Sequence, residues 1–149
     1  MRAVIQRVSR ASVRIDKKIT GQIGFGLVVL VGIHTDDTTR DLQWLADKII
    51  NLRIFSDDQG KMNTSIADIG GEMLIISQFT LYGDCRKGRR PGYSNGAPPE
   101  IAEPLYLKFV EEVKNYRISV ATGTFRAAME VELVNDGPVT LLLDSEKKF

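Results

Sequence analysis

The chain has 149 residues, 43% hydrophobic and 26% charged, with twenty Lys and Arg against nineteen Asp and Glu. That arithmetic describes one soluble domain over residues 1–149 whose core needs no disulfide or structural metal, and a net charge of +1 excludes nucleic-acid binding by overall charge. A single Cys85 and a single His34 exclude an internal disulfide and a Cys/His zinc set, so no cofactor or metal is expected.

The segment Met1 to Val8 is broken by charge too often for a signal peptide, and the longest apolar run, Phe25 to Ile33, is too short to cross a bilayer. A cytoplasmic protein with no membrane partner is the expectation. Val4 to Val8 and Ala11 to Ile15 alternate apolar with polar residues and read as strands, and Asp16-Lys17-Lys18 is a turn before a strand over Ile19 to Ile23. Leu27 to Val31 is continuously apolar, as in a strand buried on both faces at the sheet centre. Thr38 and Asp41 have capping-box spacing, and Leu42, Leu45, Ile49 and Leu52 predict a helix from about Thr39 to Asn51. Leu52 to Phe55 and Met73 to Thr80 read as strands. Pro98-Pro99 opens a second helix, with Ile101, Leu105, Phe109 and Val113 as its apolar face and Pro104 tolerated only in the first turn. Strands over Ile118 to Ala121, Met129 to Val134 and Val139 to Leu143 complete the chain. Strands outnumber helices and do not alternate with them, so the expected class is α+β: a curved, barrel-like, largely antiparallel sheet flanked by two helices.

Three segments carry the chemistry. Ser77-Gln78-Phe79-Thr80 ends an apolar strand, where polar side chains and consecutive backbone N–H groups either bind a polar substrate and an oxyanion or simply form a turn. Thr80 has no adjacent base, which argues against a nucleophile. His34 follows the central strand and reads as a loop residue before it reads as a catalytic one. Asn135-Asp136-Gly137-Pro138 is either a hairpin turn or a cis Gly–Pro element that aims two neighbouring carbonyls the same way. Between Gly83 and Pro99, Arg86, Lys87, Arg89 and Arg90 face only Asp84, so this loop is either a solvated surface or an RNA contact in which Tyr93 offers stacking. No Walker loop, GxGxxG, GxSxG or HExxH occurs.

Taken together, Met1-Arg2-Ala3-Val4-Ile5-Gln6-Arg7-Val8, Ser77-Gln78-Phe79-Thr80-Leu81-Tyr82 and Asn135-Asp136-Gly137-Pro138-Val139-Thr140 resemble the D-aminoacyl-tRNA deacylases, in that family's order and spacing. The resemblance implies hydrolysis of the ester between a D-amino acid and the 3′-terminal adenosine of tRNA, by a homodimer with its active sites at the interface. It implies that Ser77, Gln78, Phe79 and Thr80 form the active-site strand. Gly137 and Pro138 would be the Gly–cisPro element inserted into the partner's site, tethered by Arg7. Ala102, Phe125 and Met129 would lie near the terminal adenosine. D-aminoacyl-tRNA is then the expected partner and DNA is not. Two other readings compete: a non-catalytic RNA-binding module, and an esterase of small D-amino acid derivatives that needs no RNA.

Overall fold

The computed structural model describes residues 1–148. Its organising element is a long first strand, β1 (Arg2–Ile15), which pairs antiparallel with three others. Its first half takes β3 (Gly26–Gly32) on one side, its second half takes β2 (Lys18–Ile23), and its other edge is followed throughout by β8 (Glu130–Asp144).

Beyond β3 the sheet becomes parallel. β6 (Glu72–Ser77) runs alongside β3, and β7 (Ser119–Thr122) alongside β6. This corrects the largely antiparallel expectation: the sheet is mixed. The reason lies in the connections. Helix α1 (Thr39–Ile50) falls between β3 and β6, and helix α3 (Pro99–Asn115) between β6 and β7. Each is long enough for the crossover that parallel neighbours require, so helices do alternate with strands in this half of the chain. The two helices pack on each other and on one face of the sheet.

Both central strands are buried on both faces. Leu27, Val29, Val31, Met73 and Ile75 meet the helices, whereas Val28, Leu74 and Ile76 face a second cluster with Val8, Val13 and Ile23 inside the curl of the sheet. The curl nearly closes where β2 leans on β7. A Cβ on Gly21 would come within 2.7 Å of the Thr122 carbonyl oxygen, so only glycine permits that approach.

Local sequence explains the helices, with one revision. Asp41 accepts hydrogen bonds from the Thr38 backbone N–H at 2.9 Å and from its hydroxyl at 2.7 Å, which fixes the start of α1. In α3, Pro99 takes the first position, and Pro104 lies in the second turn rather than the first. Pro104 is exposed and has no N–H to donate to the Glu100 carbonyl. The buried face is Ala102, Tyr106, Phe109, Val110 and Val113, and Ile101 is exposed, a rotation from the face the apolar spacing suggested.

Other expectations are trimmed. Leu52 to Ile54 are not strand; β4 (Phe55–Ser56) pairs with β5 (Met62–Thr64) in a separate small sheet, and one helical turn, α2 (Ile66–Ile69), precedes β6. The strand expected to continue to Thr80 ends at Ser77, and Phe79–Tyr82 winds into a 3-10 turn. No helix among the described residues is long and apolar enough to cross a membrane.

Candidate active site

At the C-terminal end of β6 the sheet opens into a cavity of about 600 Å³. Its wall combines the strand end (Ser77, Gln78, Phe79), the start of α3 (Pro98, Pro99, Ala102) and the segment before β8 (Phe125, Arg126, Met129), over a floor of Val31, Ile33 and Ile76. Seven residues singled out from the sequence, Tyr93 among them, therefore meet in one place, although they lie as far apart as Ser77 and Met129. The crossover helix α3 does this. It returns the chain to the edge of β6, and the Tyr106 hydroxyl donates to the Ile75 carbonyl at 2.8 Å, pinning the helix behind the cavity. Burial pushes the Tyr106 phenol up to about 12.

The strand end is held for display. Gln78 N–H donates to the Val31 carbonyl at 2.7 Å, continuing the ladder one step, after which the chain turns. The 3-10 turn closes on itself through Leu81 N–H to the Gln78 carbonyl and Gly83 N–H to the Thr80 carbonyl. Its first donors, the N–H groups of Phe79 and Thr80, have no acceptor among the described residues, as expected at a helical start. Thr80 does not line the cavity; its hydroxyl accepts a hydrogen bond from Gln78 Nε2, and no histidine or carboxylate belongs to the described cavity wall.

Below the turn a partly buried cluster fixes its far end. Arg2 lies 4.6 Å over the Tyr82 ring, donates through Nη1 to the Leu81 carbonyl at 3.1 Å and pairs through Nε with Asp144 at 3.1 Å. Burial, with Asp37 and Asp144 nearby, raises the Tyr82 phenol far above its ordinary range.

Arg7, Gly137 and Pro138 lie outside the cavity wall. The Asn135–Pro138 stretch is not a hairpin: both halves of β8 pair with the same strand, Val8 opposite Asn135 and Gln6 opposite Thr140. Residues 136–139 thus bulge out opposite Arg7 alone, with a cis peptide between Gly137 and Pro138. Arg7 occupies an inward position of β1 and is only 7% exposed. It donates to the Ile54 carbonyl at 2.6 Å and the Gly137 carbonyl at 3.3 Å, and pairs with Asp136 at 2.8 Å. The Asn135 side-chain amide donates to the Arg7 and Val139 carbonyls at 2.9 and 3.1 Å, closing the base of the arch. Gly137 and Pro138 themselves are exposed.

His34 accepts at Nδ1 from the Asp36 N–H at 3.2 Å and packs its ring on Tyr82, away from the cavity. Cys85 is exposed in the basic loop. Sequence reasoning missed Asn135 as the clasp of the arch and Arg126 on the cavity wall. Only the four-to-one register mismatch, invisible in one strand, would have identified the first. Nothing short of the fold identifies the second.

A family model described as D-Tyr-tRNA(Tyr) deacylase matches residues 4–144. The chain is 63% identical over 149 residues to the D-aminoacyl-tRNA deacylase of Thermosipho africanus (strain TCF52B) and 59% identical over 149 residues to that of Clostridioides difficile (strain 630), each alignment covering 100% of both chains. Among solved structures, one described as c-Myc DNA Unwinding Element Binding Protein is 40% identical with a TM-score of 0.91, covering 97% of this chain and 98% of that one. Another, described as a probable eukaryotic D-amino acid tRNA deacylase, shares the fold at 18% identity and a TM-score of 0.83, covering 95% and 97% of the two chains.

Proposed function

Starting from the fact that the chain belongs to the D-Tyr-tRNA(Tyr) deacylase family and is a hydrolase of aminoacyl-tRNA esters, we propose that it cleaves D-aminoacyl and glycyl esters from the 3′-terminal adenosine of tRNA and rejects L-aminoacyl esters by steric exclusion. The observation that carries this reading is the pair of partnerless N–H donors, Phe79 and Thr80, beside a cavity whose wall offers no side-chain base among the described residues. Such a site stabilises a developing oxyanion but does not activate water. The substrate supplies the rest. An aminoacyl ester is already reactive, and the ribose 2′-OH next to the scissile bond assists the attacking water. Water adds to the ester carbonyl, the two N–H groups hold the oxyanion, and collapse expels the ribose 3′-oxygen, which takes a proton to leave free amino acid and tRNA. The Thr80 hydroxyl, held by Gln78, positions the group and does not attack.

The cavity wall formed by Ala102, Phe125 and Met129 receives the adenosine, and Ser77 and Gln78 line the aminoacyl end. Chirality is read by the arch of a second copy. Its Gly137 and Pro138 carbonyls, aimed by Arg7, face the α-carbon and collide with an L side chain, whereas a D side chain points away and glycine presents none. Activity then belongs to the homodimer. The reading commits to RNA and not DNA, because the 2′-OH takes part, and it involves no metal.

The test is hydrolysis of matched D- and L-tyrosyl-tRNA by the purified protein, with and without a chelator. Loss of only the D ester, at the same rate with chelator, supports the reading. Cleavage of a D ester carrying a 2′-deoxy terminal adenosine at the full rate removes the 2′-OH from the mechanism. Equal cleavage of D-tyrosine esters without RNA favours the small-ester esterase instead.

A further inference from the structure

The basic loop is not used by the mechanism above, and its construction is specific. Asp84 and Gly92 exchange backbone hydrogen bonds at 2.7 and 3.0 Å, so residues 85–91 project as a closed loop. Asp84 also takes both Arg86 nitrogens, Nε at 2.9 Å and Nη2 at 2.7 Å, and that guanidinium holds its carboxyl far below the usual carboxylate range. Arg86 is therefore spent inside the loop. Lys87, Arg89 and Arg90 are exposed and form no ion pair among the described residues.

Where this loop returns to the body it places Tyr93 edge-on against Phe79, ring centroids 5.3 Å apart at 67°. Gly83 makes room, since a Cβ there would sit 3.1 Å from the Tyr93 ring. Both rings belong to the cavity wall, yet Phe79 is 58% and Tyr93 43% exposed, which puts them at its rim. The pair leaves ring surface open to solvent, and it sits where the loop that carries three cations without an ion pair among the described residues returns to the body.

We infer that the Phe79–Tyr93 rim and the Lys87–Arg90 loop form a second nucleotide site, which stacks the base 5′ of the terminal adenosine and contacts the adjoining phosphates. Aromatic faces beside a cationic track fit single-stranded nucleic acid, whose bases are free to stack. They do not fit a duplex, whose base faces are closed. The site rests on the deacylase reading and extends it: the terminal adenosine fills the cavity, and the preceding nucleotide leaves across the rim.

The experiment compares kcat/KM for the D-tyrosyl esters of adenosine, of a CpA dinucleotide and of tRNA, using wild type, Tyr93→Ala, Tyr93→Phe and the double variant Arg89→Ala/Arg90→Ala. Wild type should gain about tenfold from one nucleotide to two, the scale of one stacked base. Tyr93→Ala should lose most of that gain and Tyr93→Phe should keep it. For tRNA, the double variant should flatten the dependence of log KM on log salt by about 0.7 for each phosphate that is no longer neutralised. Equal wild-type rates on the one- and two-nucleotide esters, or a gain that survives Tyr93→Ala, or an unchanged salt slope, overturns the inference and leaves the deacylase reading standing. A wild-type protein inert on every D ester overturns both.

Discussion

The cavity rim and the Asn135–Val139 arch are both irregular backbone in which a strand departs from its ladder, and they are built in opposite senses. The rim is concave, and its free backbone groups are donors, the N–H groups of Phe79 and Thr80. The arch is convex and exposed, and within its own chain its Gly137 carbonyl is an acceptor, bonded by Arg7. The rim is held by sheet continuation and the Arg2–Tyr82 cluster, the arch by one buried cation, Arg7, and one amide, Asn135. One is a hollow and the other a projection, and the arch does not line the cavity of its own chain. The homodimer proposed above accounts for that asymmetry, because in it each chain carries one half of two sites.

The largest effect should come from removing the support of the arch. Arg7→Ala leaves the Gly137 and Ile54 carbonyls without their donor and the Asp136 carboxylate without its ion-pair partner. It should cost about 2 kcal/mol in denaturant unfolding, and discrimination against L-tyrosyl-tRNA should be lost while the cavity is kept. Unchanged rejection of L-tyrosyl-tRNA by a folded Arg7→Ala protein breaks the comparison, because the arch then does not matter.

Gly137→Ala sharpens it. A Cβ on Gly137 meets nothing within 4 Å in its own chain, so stability should stay within about 0.5 kcal/mol of wild type. If the arch enters a partner's cavity, the added methyl should nonetheless lower kcat/KM by roughly 100-fold, the cost of an ångström-scale misplacement. A stable and fully active variant would mean that nothing approaches the arch closely.

On the rim side, Thr80→Ala should reduce single-turnover rates by about tenfold or less. A loss approaching the roughly 10⁶-fold seen on deleting a nucleophile would make Thr80 the attacking group.

The smallest effect concerns the anchor behind the cavity. Tyr106→Phe loses the hydrogen bond to Ile75 and should cost about 1 kcal/mol. Because the folded-state value of Tyr106 lies near 12, above the ordinary value of 10, its contribution is complete below pH 10 and declines as pH rises from 10 towards 12. The stability difference between wild type and Tyr106→Phe should therefore shrink across that interval. A constant difference would mean the phenol is not held neutral by burial.

Much of this was legible in the chain. Alternation marked β1, an unbroken apolar run marked β3 as doubly buried, and the Thr38–Asp41 spacing marked the start of α1, because each signal is local and depends on two to four residues. Ser77 to Thr80 and Gly137-Pro138 stood out through residue types that serve turns and exposed backbone. The failures share a cause. That α3 turns its Ala102–Tyr106 face inward, that β3, β6 and β7 run parallel, and that Asn135 to Val139 arches instead of turning back are outcomes of which strand each segment pairs with. Pairing is settled between residues up to about a hundred and forty positions apart, as between Arg2 and Asp144, and no window of sequence contains both partners. The sequence by itself determined the elements and the chemistry each could offer. Only the tertiary structure decided that the strand end faces a cavity and that the arch faces away from it, because those directions follow from packing α3 against β6 and from burying Arg7 beneath β8.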